Sequence, residues 1–287
     1  MSEVIQFKKQ RELGAILTDT FKFIRLQFKP LFGTILKKAG PALLVLVLAF
    51  VYYIQSFGRL NEYGGADEFG IQMLLAIGIM LLAGMVFYTL MYLSVIAYVK
   101  SYVKNNGVAL PEEINTEIRE RFWSVIGLSF LIGLMIGFGL VVCFFPGIYL
   151  GVVLVPAYCI HIIGKRDVMD SISYSFELIK GEWWITFATF LVAGIIYYVV
   201  VIIAQVPQYI YFFIRTFTIA EQVGADPTDL FDWGYTILSS LGMIVQYLMQ
   251  VLIVLTSIFI YYNLNEKKNY TGTLEAIESL GSDQENE

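Results

Sequence analysis

Residues 71–99 read IQMLLAIGIMLLAGMVFYTLMYLSVIAYV and contain no Asp, Glu, Lys or Arg. The hydrocarbon core of a bilayer is about 30 Å thick, and a helix needs about 20 apolar residues to cross it. This stretch therefore predicts a transmembrane helix. Five further stretches are apolar and uncharged in the same way: 40–57, 123–145, 147–163, 184–214 and 234–263. We predict an all-α, polytopic membrane protein with six transmembrane helices.

The segments that join these stretches differ in their content of Lys and Arg. The chain is 57% hydrophobic and 15% charged, whereas soluble domains carry about 25% charged residues. Short cytoplasmic loops hold an excess of Lys and Arg. Alternate segments contain 17 of the 19 such residues: 1–38, 100–122, 164–183 and the residues after 264. Both termini are therefore predicted to face the cytoplasm.

Three of the basic segments have the apolar periodicity of an amphipathic helix. Residues 11–29, 111–122 and 167–180 place apolar side chains three and four positions apart, a pattern typical of a helix in the membrane interface. We predict three cytoplasmic amphipathic interfacial helices. The first has an apolar face of Leu13, Leu17, Phe21, Ile24 and Phe28, opposite Thr18, Lys22, Arg25 and Lys29.

Each amphipathic helix precedes a pair of spans, which indicates three units over residues 11–99, 111–163 and 167–264. These units form either a divergent threefold internal repeat or a set of connectors that look alike because all of them enter a span. We assign residues 1–268 to a single integral membrane domain. Residues 269–287 are predicted to be an acidic, disordered cytoplasmic tail.

Small residues predict how the third and fourth spans pack. Only Pro146-Gly147 separates these spans, so we expect a tight antiparallel hairpin with its turn at this dipeptide. Ser129, Gly133 and Gly137 recur at every fourth position, a spacing that lets another helix approach closely. We expect that helix to belong to the same chain, and the oligomeric state stays open.

Four glutamines are the main polar side chains at membrane depth. Gln205 and Gln208 flank Pro207 in the fifth span, and Gln246 and Gln250 are one turn apart in the sixth. Uncharged amides in a bilayer hydrogen-bond across helices. They form either a polar pocket between the two spans or interhelical contacts without a ligand. Pro207 leaves open whether the fifth span is straight or broken.

The first amphipathic helix and its end carry a dense group of basic residues: Lys22, Arg25, Lys29, Lys37 and Lys38. Anionic lipid headgroups attract such residues, at about 1 kcal/mol for each charge near the surface. We therefore predict lipid-headgroup contacts here. Selection for membrane topology alone would also explain these residues.

Few residues suggest catalysis or coupled transport. The six apolar stretches contain no Asp, Glu, Lys or Arg, and proton- or ion-coupled transporters usually carry such residues within their spans. His161 is the only histidine, whereas a metal site needs several converging ligands. We therefore expect no enzymatic activity, metal, cofactor or nucleic-acid partner. A general base formed by His161 with Asp167 or Asp170 is the weakest alternative.

Residues 146–184, PGIYLGVVLVPAYCIHIIGKRDVMDSISYSFELIKGEWW, carry a family resemblance. They resemble a superfamily of uncharacterised bacterial polytopic membrane proteins, which includes YciC-like proteins and the membrane domain of some glycerophosphodiester phosphodiesterases. The similar elements are PGIYL (146–150), Pro156 and SFELIKG (175–181), and NLNEKKN (263–269) is similar to members from Bacteroidota. The resemblance implies a multi-pass protein of the bacterial inner (plasma) membrane and no particular activity.

These observations favour a non-enzymatic integral inner-membrane protein. It would be an accessory or scaffold protein whose partners are membrane lipids or another envelope protein. The alternative is a carrier or flippase-like transporter of an apolar or amphiphilic molecule, with the four glutamines as its polar pocket.

Overall fold

The computed structural model describes residues 4–58, 66–220, 227–274 and 277. These residues form α-helices and connecting segments, and a 3₁₀ turn (Pro227–Phe231) precedes the last long helix. The helices are α1 (Leu13–Lys38), α2 (Gly40–Gly58), α3 (Ala66–Lys104), α4 (Pro111–Val142), α5 (Phe144–Leu154), α6 (Ala157–Ile162), α7 (Val168–Ile179), α8 (Trp183–Ala220) and α9 (Trp233–Asn269).

Within the described residues, six helical stretches are long and apolar enough to cross a membrane. They are Gly40–Gly58, Glu68–Lys104, Pro111–Val142, Phe144–Ile162, Trp183–Ile219 and Trp233–Asn269. Large apolar side chains such as Leu74, Phe138 and Ile203 lie exposed on them, as expected of a surface that contacts lipid. For the part of the chain that the structure describes, the prediction of an all-α protein with six helices long and apolar enough to cross a membrane is confirmed.

Several boundaries differ from the predicted ones. The predicted interfacial helix 111–122 is continuous with the third span, because α4 runs without a break from Pro111 to Val142. The fifth span also does not break, since α8 continues through Pro207. The fourth span is divided into α5 and α6 near Pro156. Residues 275–276 and 278–287 of the predicted tail lie outside the described residues.

The turn between the third and fourth spans lies three residues before the predicted position. Cys143 has extended backbone geometry and links α4 to α5. Pro146 and Gly147 therefore belong to the first turn of α5. Proline fits there because the first N–H groups of a helix have no partner within the helix.

The close approach of α4 and α5 depends on two glycines. A Cβ on Gly139 would lie 3.0 Å from the Cα of Gly147, and a Cβ on Gly147 would lie 2.8 Å from the backbone nitrogen of Leu140. By contrast, a Cβ on Gly133 or Gly137 would meet nothing within 4 Å among the described residues. The expectation that the 129–137 ladder packs against a helix of the same chain is therefore wrong at these two glycines.

The chain divides into two compact units. Unit 1 comprises Met1–Ile35, Thr89–Gly194 and Leu252–Glu287, and unit 2 comprises Leu36–Tyr88 and Ile195–Val251. Their boundaries differ from those of the predicted repeat units. The threefold repeat and the single membrane domain therefore stay predictions.

Unit 1 has an aromatic core that holds the segment before α1. Phe7 stacks on Phe259 with ring centroids 4.5 Å apart. Phe23 of α1 packs edge-on against Tyr102 of α3, at 5.2 Å. All four rings are nearly inaccessible to solvent, and pairs in these geometries contribute about 0.5–1.5 kcal/mol each beyond the burial of their area.

In unit 2, polar side chains tie the helices together. The amide of Gln55 donates to the hydroxyl of Thr236, at 2.9 Å. Asp232 caps α9 by accepting from the backbone N–H of Tyr235, at 2.9 Å, and also accepts from the Tyr211 hydroxyl, at 2.6 Å. Burial raises the pKa of Asp232, but these bonds and the charge of Arg215 outweigh burial and hold that pKa below its ordinary value.

Candidate functional sites

Unit 2 contains a cavity of about 520 Å³ that three of the four predicted glutamines line. Gln205 and Gln208 come from α8, and Gln246 comes from α9. Gln250 does not belong to the cavity wall, although it lies one turn from Gln246. Much of the remaining wall is methionine and aromatic: Met80, Met85, Met243, Phe50, Tyr88 and Tyr247.

The glutamines are linked by hydrogen bonds. The Nε2 of Gln205 donates to the Oε1 of Gln246, at 3.2 Å, and the Tyr209 hydroxyl donates to the Oε1 of Gln205, at 2.8 Å. The Nε2 of Gln208 donates to the Tyr235 hydroxyl, at 3.1 Å. The structure thus combines both predicted arrangements, because the amides bridge α8 and α9 and also line a cavity.

The helix α1 buries a different face from the one that the sequence indicated. Ile16, Thr20 and Phe23 are buried in unit 1. The predicted apolar face is partly open, since Phe21 is 41% and Phe28 is 55% exposed. At 3.6 residues per turn, Phe21 and Phe28 lie about a third of a turn away from the centre of the buried face.

The predicted basic residues lie beside that open apolar face. Arg25, Lys29 and Lys37 are exposed, and Lys22 and Lys38 are half-buried. The helix thus has a buried face, an open apolar face and a basic face. Its position in the membrane interface stays a prediction.

A kink divides α1 near its middle. Gln27 has non-helical backbone angles (φ −107°, ψ 16°), and Pro30 lies inside the helix. The kink follows from Pro30, which lacks an N–H and clashes with the preceding turn. The Tyr98 hydroxyl fixes this bend by donating to the Oε1 of Gln27, at 2.7 Å.

Sequence reasoning missed the role of Arg11. Its side chain is fully buried and its Nε lies 2.8 Å from the Oδ2 of Asp19. Its Nη1 donates to the carbonyls of Phe7, at 2.7 Å, and Lys9, at 3.2 Å, and its Nη2 donates to the carbonyl of Gln6. The guanidinium therefore closes the segment before α1 into a loop.

Electrostatics favour the charged forms of this pair. Burial raises the pKa of Asp19, but the bond to Arg11 and the charges of Arg11 and Lys9 outweigh burial and hold that pKa below its ordinary value. Burial lowers the pKa of Arg11, while Asp19 opposes that change. Arginine stays protonated in proteins, so the pair is an ion pair at neutral pH.

A second network fixes the end of α6. Glu117 pairs with Lys100, at 2.6 Å, and with Arg121, at 2.5 Å. The two cations also donate to the carbonyls of Ile162 and His161, each at 2.8 Å. The last carbonyls of a helix lack partners within the helix and carry partial negative charge. These cations therefore stabilise the end of α6.

His161 is buried, and both of its ring nitrogens have partners. Its Nε2 lies 2.8 Å from the Ser124 hydroxyl, and its Nδ1 lies 2.7 Å from the carbonyl of Arg166. A carbonyl only accepts, so Nδ1 carries a proton. Within residues 4–58, 66–220 and 227–274, no group of three His, Cys, Asp or Glu residues could hold a metal ion.

These features define a class: a multi-pass helical membrane protein with a polar cavity in one unit and a kinked, basic helix at its start. Comparison with known proteins found no matching family model, no similar curated protein and no similar solved structure. The resemblance to YciC-like proteins therefore stays a prediction.

Proposed function

We propose that this protein is a non-enzymatic accessory or scaffold protein of the bacterial inner membrane that engages anionic lipid through α1. Both termini face the cytoplasm in this proposal. One observation carries it: Phe21 and Phe28 are exposed beside exposed Arg25 and Lys29 on one helix. Phenylalanine is typical of the apolar face that an interfacial helix buries at the boundary of headgroups and acyl chains, and basic side chains favour anionic headgroups.

This arrangement favours lipid contact over topology selection alone. Topology depends on the number of Lys and Arg residues near the ends of the spans and does not require aromatic side chains next to them. An open apolar face beside a basic face is the pattern of a helix in the plane of the membrane surface. On this view, α1 holds unit 1 to the leaflet and collects anionic lipid around it.

Lipid retention tests the proposal. The protein would be reconstituted with phosphatidylcholine and phosphatidylglycerol, released gently, and analysed by native mass spectrometry. We expect preferential retention of phosphatidylglycerol. We expect Arg25→Glu with Lys29→Glu to reduce it about thirtyfold, because two basic residues at about 1 kcal/mol each contribute about 2 kcal/mol. Equal retention of both lipids by the unaltered protein would contradict the proposal.

A matched control separates local contact from net charge. Lys165→Glu with Lys268→Glu changes the net charge by the same amount at two exposed positions outside the three predicted interfacial helices. This variant is expected to retain phosphatidylglycerol like the unaltered protein. A loss as large as that of the α1 variant would mean that net charge, and not α1, attracts the lipid.

The cavity favours a second candidate, a carrier or flippase-like transporter of an amphiphilic molecule. A volume of about 520 Å³ lies within the range of small-molecule sites. The test is movement of a fluorescent lipid across proteoliposome membranes, followed by quenching from outside. Movement that Gln205→Leu with Gln246→Leu abolishes would support a carrier. Absence of protein-dependent movement would dispose of it.

A further inference from the structure

We propose that the cavity of unit 2 binds one uncharged amphiphile whose polar group is a hydroxyl, as in a diacylglycerol, in preference to a phospholipid. The proposal shares its site with the carrier candidate but requires only binding. It does not depend on headgroup contacts at α1.

The described wall of the cavity is uncharged. Among the described residues that line the cavity, none is a Lys, Arg, Asp, Glu or His. A phosphate or a choline group inside it would lie unpaired among methionine, aromatic and amide side chains. An unpaired charge away from water is strongly unfavourable. The wall therefore selects against a charged headgroup.

The glutamine amides give the wall its capacity for hydrogen bonding. A glutamine carries two N–H donors and an oxygen with two lone pairs. The bond from Gln205 to Gln246 uses one of the two N–H donors of Gln205, and the bond from Gln208 to Tyr235 uses one donor of Gln208. The free hydroxyl of a diacylglycerol both donates and accepts, so it complements an amide wall. In a phospholipid the same glycerol oxygen is a phosphate ester, which only accepts.

The apolar part of the wall includes three methionines. Met80, Met85 and Met243 contribute to it, and methionine side chains adapt to apolar partners of irregular shape. Gly84 also lines the cavity and adds no side chain to it. The cavity thus offers amides from α8 and α9 together with an adaptable apolar surface from α3 and α9, which matches a glycerol hydroxyl with acyl chains attached to the same glycerol.

Photocrosslinking in nanodiscs tests the proposal. Two probes with identical photoactivatable acyl chains are compared, one a diacylglycerol and the other a phosphatidylcholine, and crosslinked peptides are mapped by mass spectrometry. We expect the diacylglycerol probe to label cavity residues of α3, α8 or α9, and an excess of dioleoylglycerol to remove that labelling. Equal labelling of these residues by phosphatidylcholine would overturn the preference.

Variants tie the labelling to the amides. Gln205→Leu with Gln246→Leu is expected to reduce diacylglycerol labelling of the cavity about tenfold, through the loss of two membrane hydrogen-bonding groups. Gln250→Leu is the matched control, because it removes the same side chain one turn away and outside the cavity wall. It is expected to leave the labelling unchanged. Unchanged labelling in the double variant would overturn the proposal.

A single substitution covers the case in which the double variant does not fold, and a transport assay separates binding from transport. If the double variant does not fold, Gln246→Met alone preserves the side-chain length, and the proposal then requires a several-fold reduction in labelling. Unchanged labelling in this variant would overturn the proposal. Diacylglycerol binding without lipid movement in proteoliposomes would uphold this inference while disposing of the carrier, so the two failures are distinguishable.

Discussion

Arg11 shows how one buried cation organises the segment before the first helix. Its guanidinium contacts three backbone carbonyls and the carboxylate of Asp19, and it lies 5.0 Å from the centre of the Phe259 ring. Arginine fits this site because its planar fork has five N–H donors. Lysine, with a single ammonium, could not reach the same set.

The first prediction concerns Arg11→Met. The variant removes the buried guanidinium that binds Asp19 and the carbonyls of Phe7 and Lys9. Loss of one member of a buried pair typically costs about 3–5 kcal/mol, and we expect the lower end of that range because Asp19 keeps its ion pair with Lys9, at 3.5 Å. We expect a lower thermal unfolding midpoint in detergent. Arg25→Met, on the exposed face of α1, is the control and should leave the midpoint nearly unchanged. Equal midpoints for the two variants would contradict the assigned role.

The second prediction is a pH dependence. The pKa of Asp19 in the folded protein is held below its ordinary value, which is about 3.9 in an unfolded chain. Asp19 therefore stabilises the folded state above that pH, and the contribution is lost as the pH falls from about 4 through the folded pKa. We expect a steeper loss of stability below about pH 4 in the unaltered protein than in Arg11→Met. The same loss of stability with falling pH in both proteins would refute this.

The glutamine pairs could be identified from the sequence, whereas the role of Arg11 could not. Two pairs of amides within apolar spans are conspicuous, because each must find a partner. Arg11 stands among eight Lys and Arg residues in 1–38 and looks like any of them. Its burial depends on a loop that folds back over α1, α3 and α9, and no local pattern encodes that loop.

Among the elements, the α4–α5 hairpin depends most directly on close backbone packing. The third prediction is that Gly147→Ala destabilises it, because the new Cβ would overlap the Leu140 side chain and lie 2.8 Å from its backbone nitrogen. Overpacking of this kind costs about 1–3 kcal/mol. The measurement is the thermal unfolding midpoint in detergent.

Gly133→Ala on α4 is the matched control for this substitution. Its Cβ would meet nothing within 4 Å among the described residues, and alanine favours a helix over glycine by about 1 kcal/mol. We expect an unchanged or higher midpoint. Equal destabilisation by both substitutions would mean that the hairpin does not pack at Gly147.

The same hairpin shows the limit of the sequence pattern. The spacing of Ser129, Gly133 and Gly137 indicated a packing face, but Gly139 is the glycine that contacts α5. Two residues correspond to about 200° around a helix, so the contact lies nearly opposite to Gly137. Spacing identifies a stripe of small residues but does not show which helix, if any, lies against it.

The helix α1 illustrates a related difficulty. Its sequence has two apolar faces, one with Phe21 and Phe28 and the other with Ile16 and Phe23. Periodicity indicated the first face, and the structure buries the second. A helix that packs on protein and also touches lipid needs both, and the sequence alone does not separate their roles.

At the scale of the whole molecule, the length of the apolar stretches was sufficient to predict the six helices that could cross a membrane. The apolar stretches marked all six spans because a bilayer imposes a minimum apolar length on any helix that crosses it. The division into two units was not predicted, since it depends on contacts between segments far apart in sequence.

The fourth prediction concerns topology. Six spans place both termini on the same side, and the excess of Lys and Arg in alternate segments places that side in the cytoplasm. A fluorescent protein that matures only in the cytoplasm should be active when fused to either end. A periplasmic reporter should be active only when inserted next to Gly58, Cys143 or Ala220, where the three connections on the opposite side begin. An active periplasmic reporter at either terminus would refute this topology.

The most direct test of the central claim is the membrane depth of α1. Spin labels would be placed at Phe21, Arg25, Phe28 and Lys29, one at a time, in a variant with Cys143 replaced by serine and the buried Cys159 retained. Accessibility to oxygen, which is enriched in the bilayer, is compared with accessibility to a water-soluble nickel complex. The account predicts that oxygen dominates at positions 21 and 28 and the nickel complex at 25 and 29. Dominance of the nickel complex at all four positions would show that α1 is away from the membrane and would contradict the account.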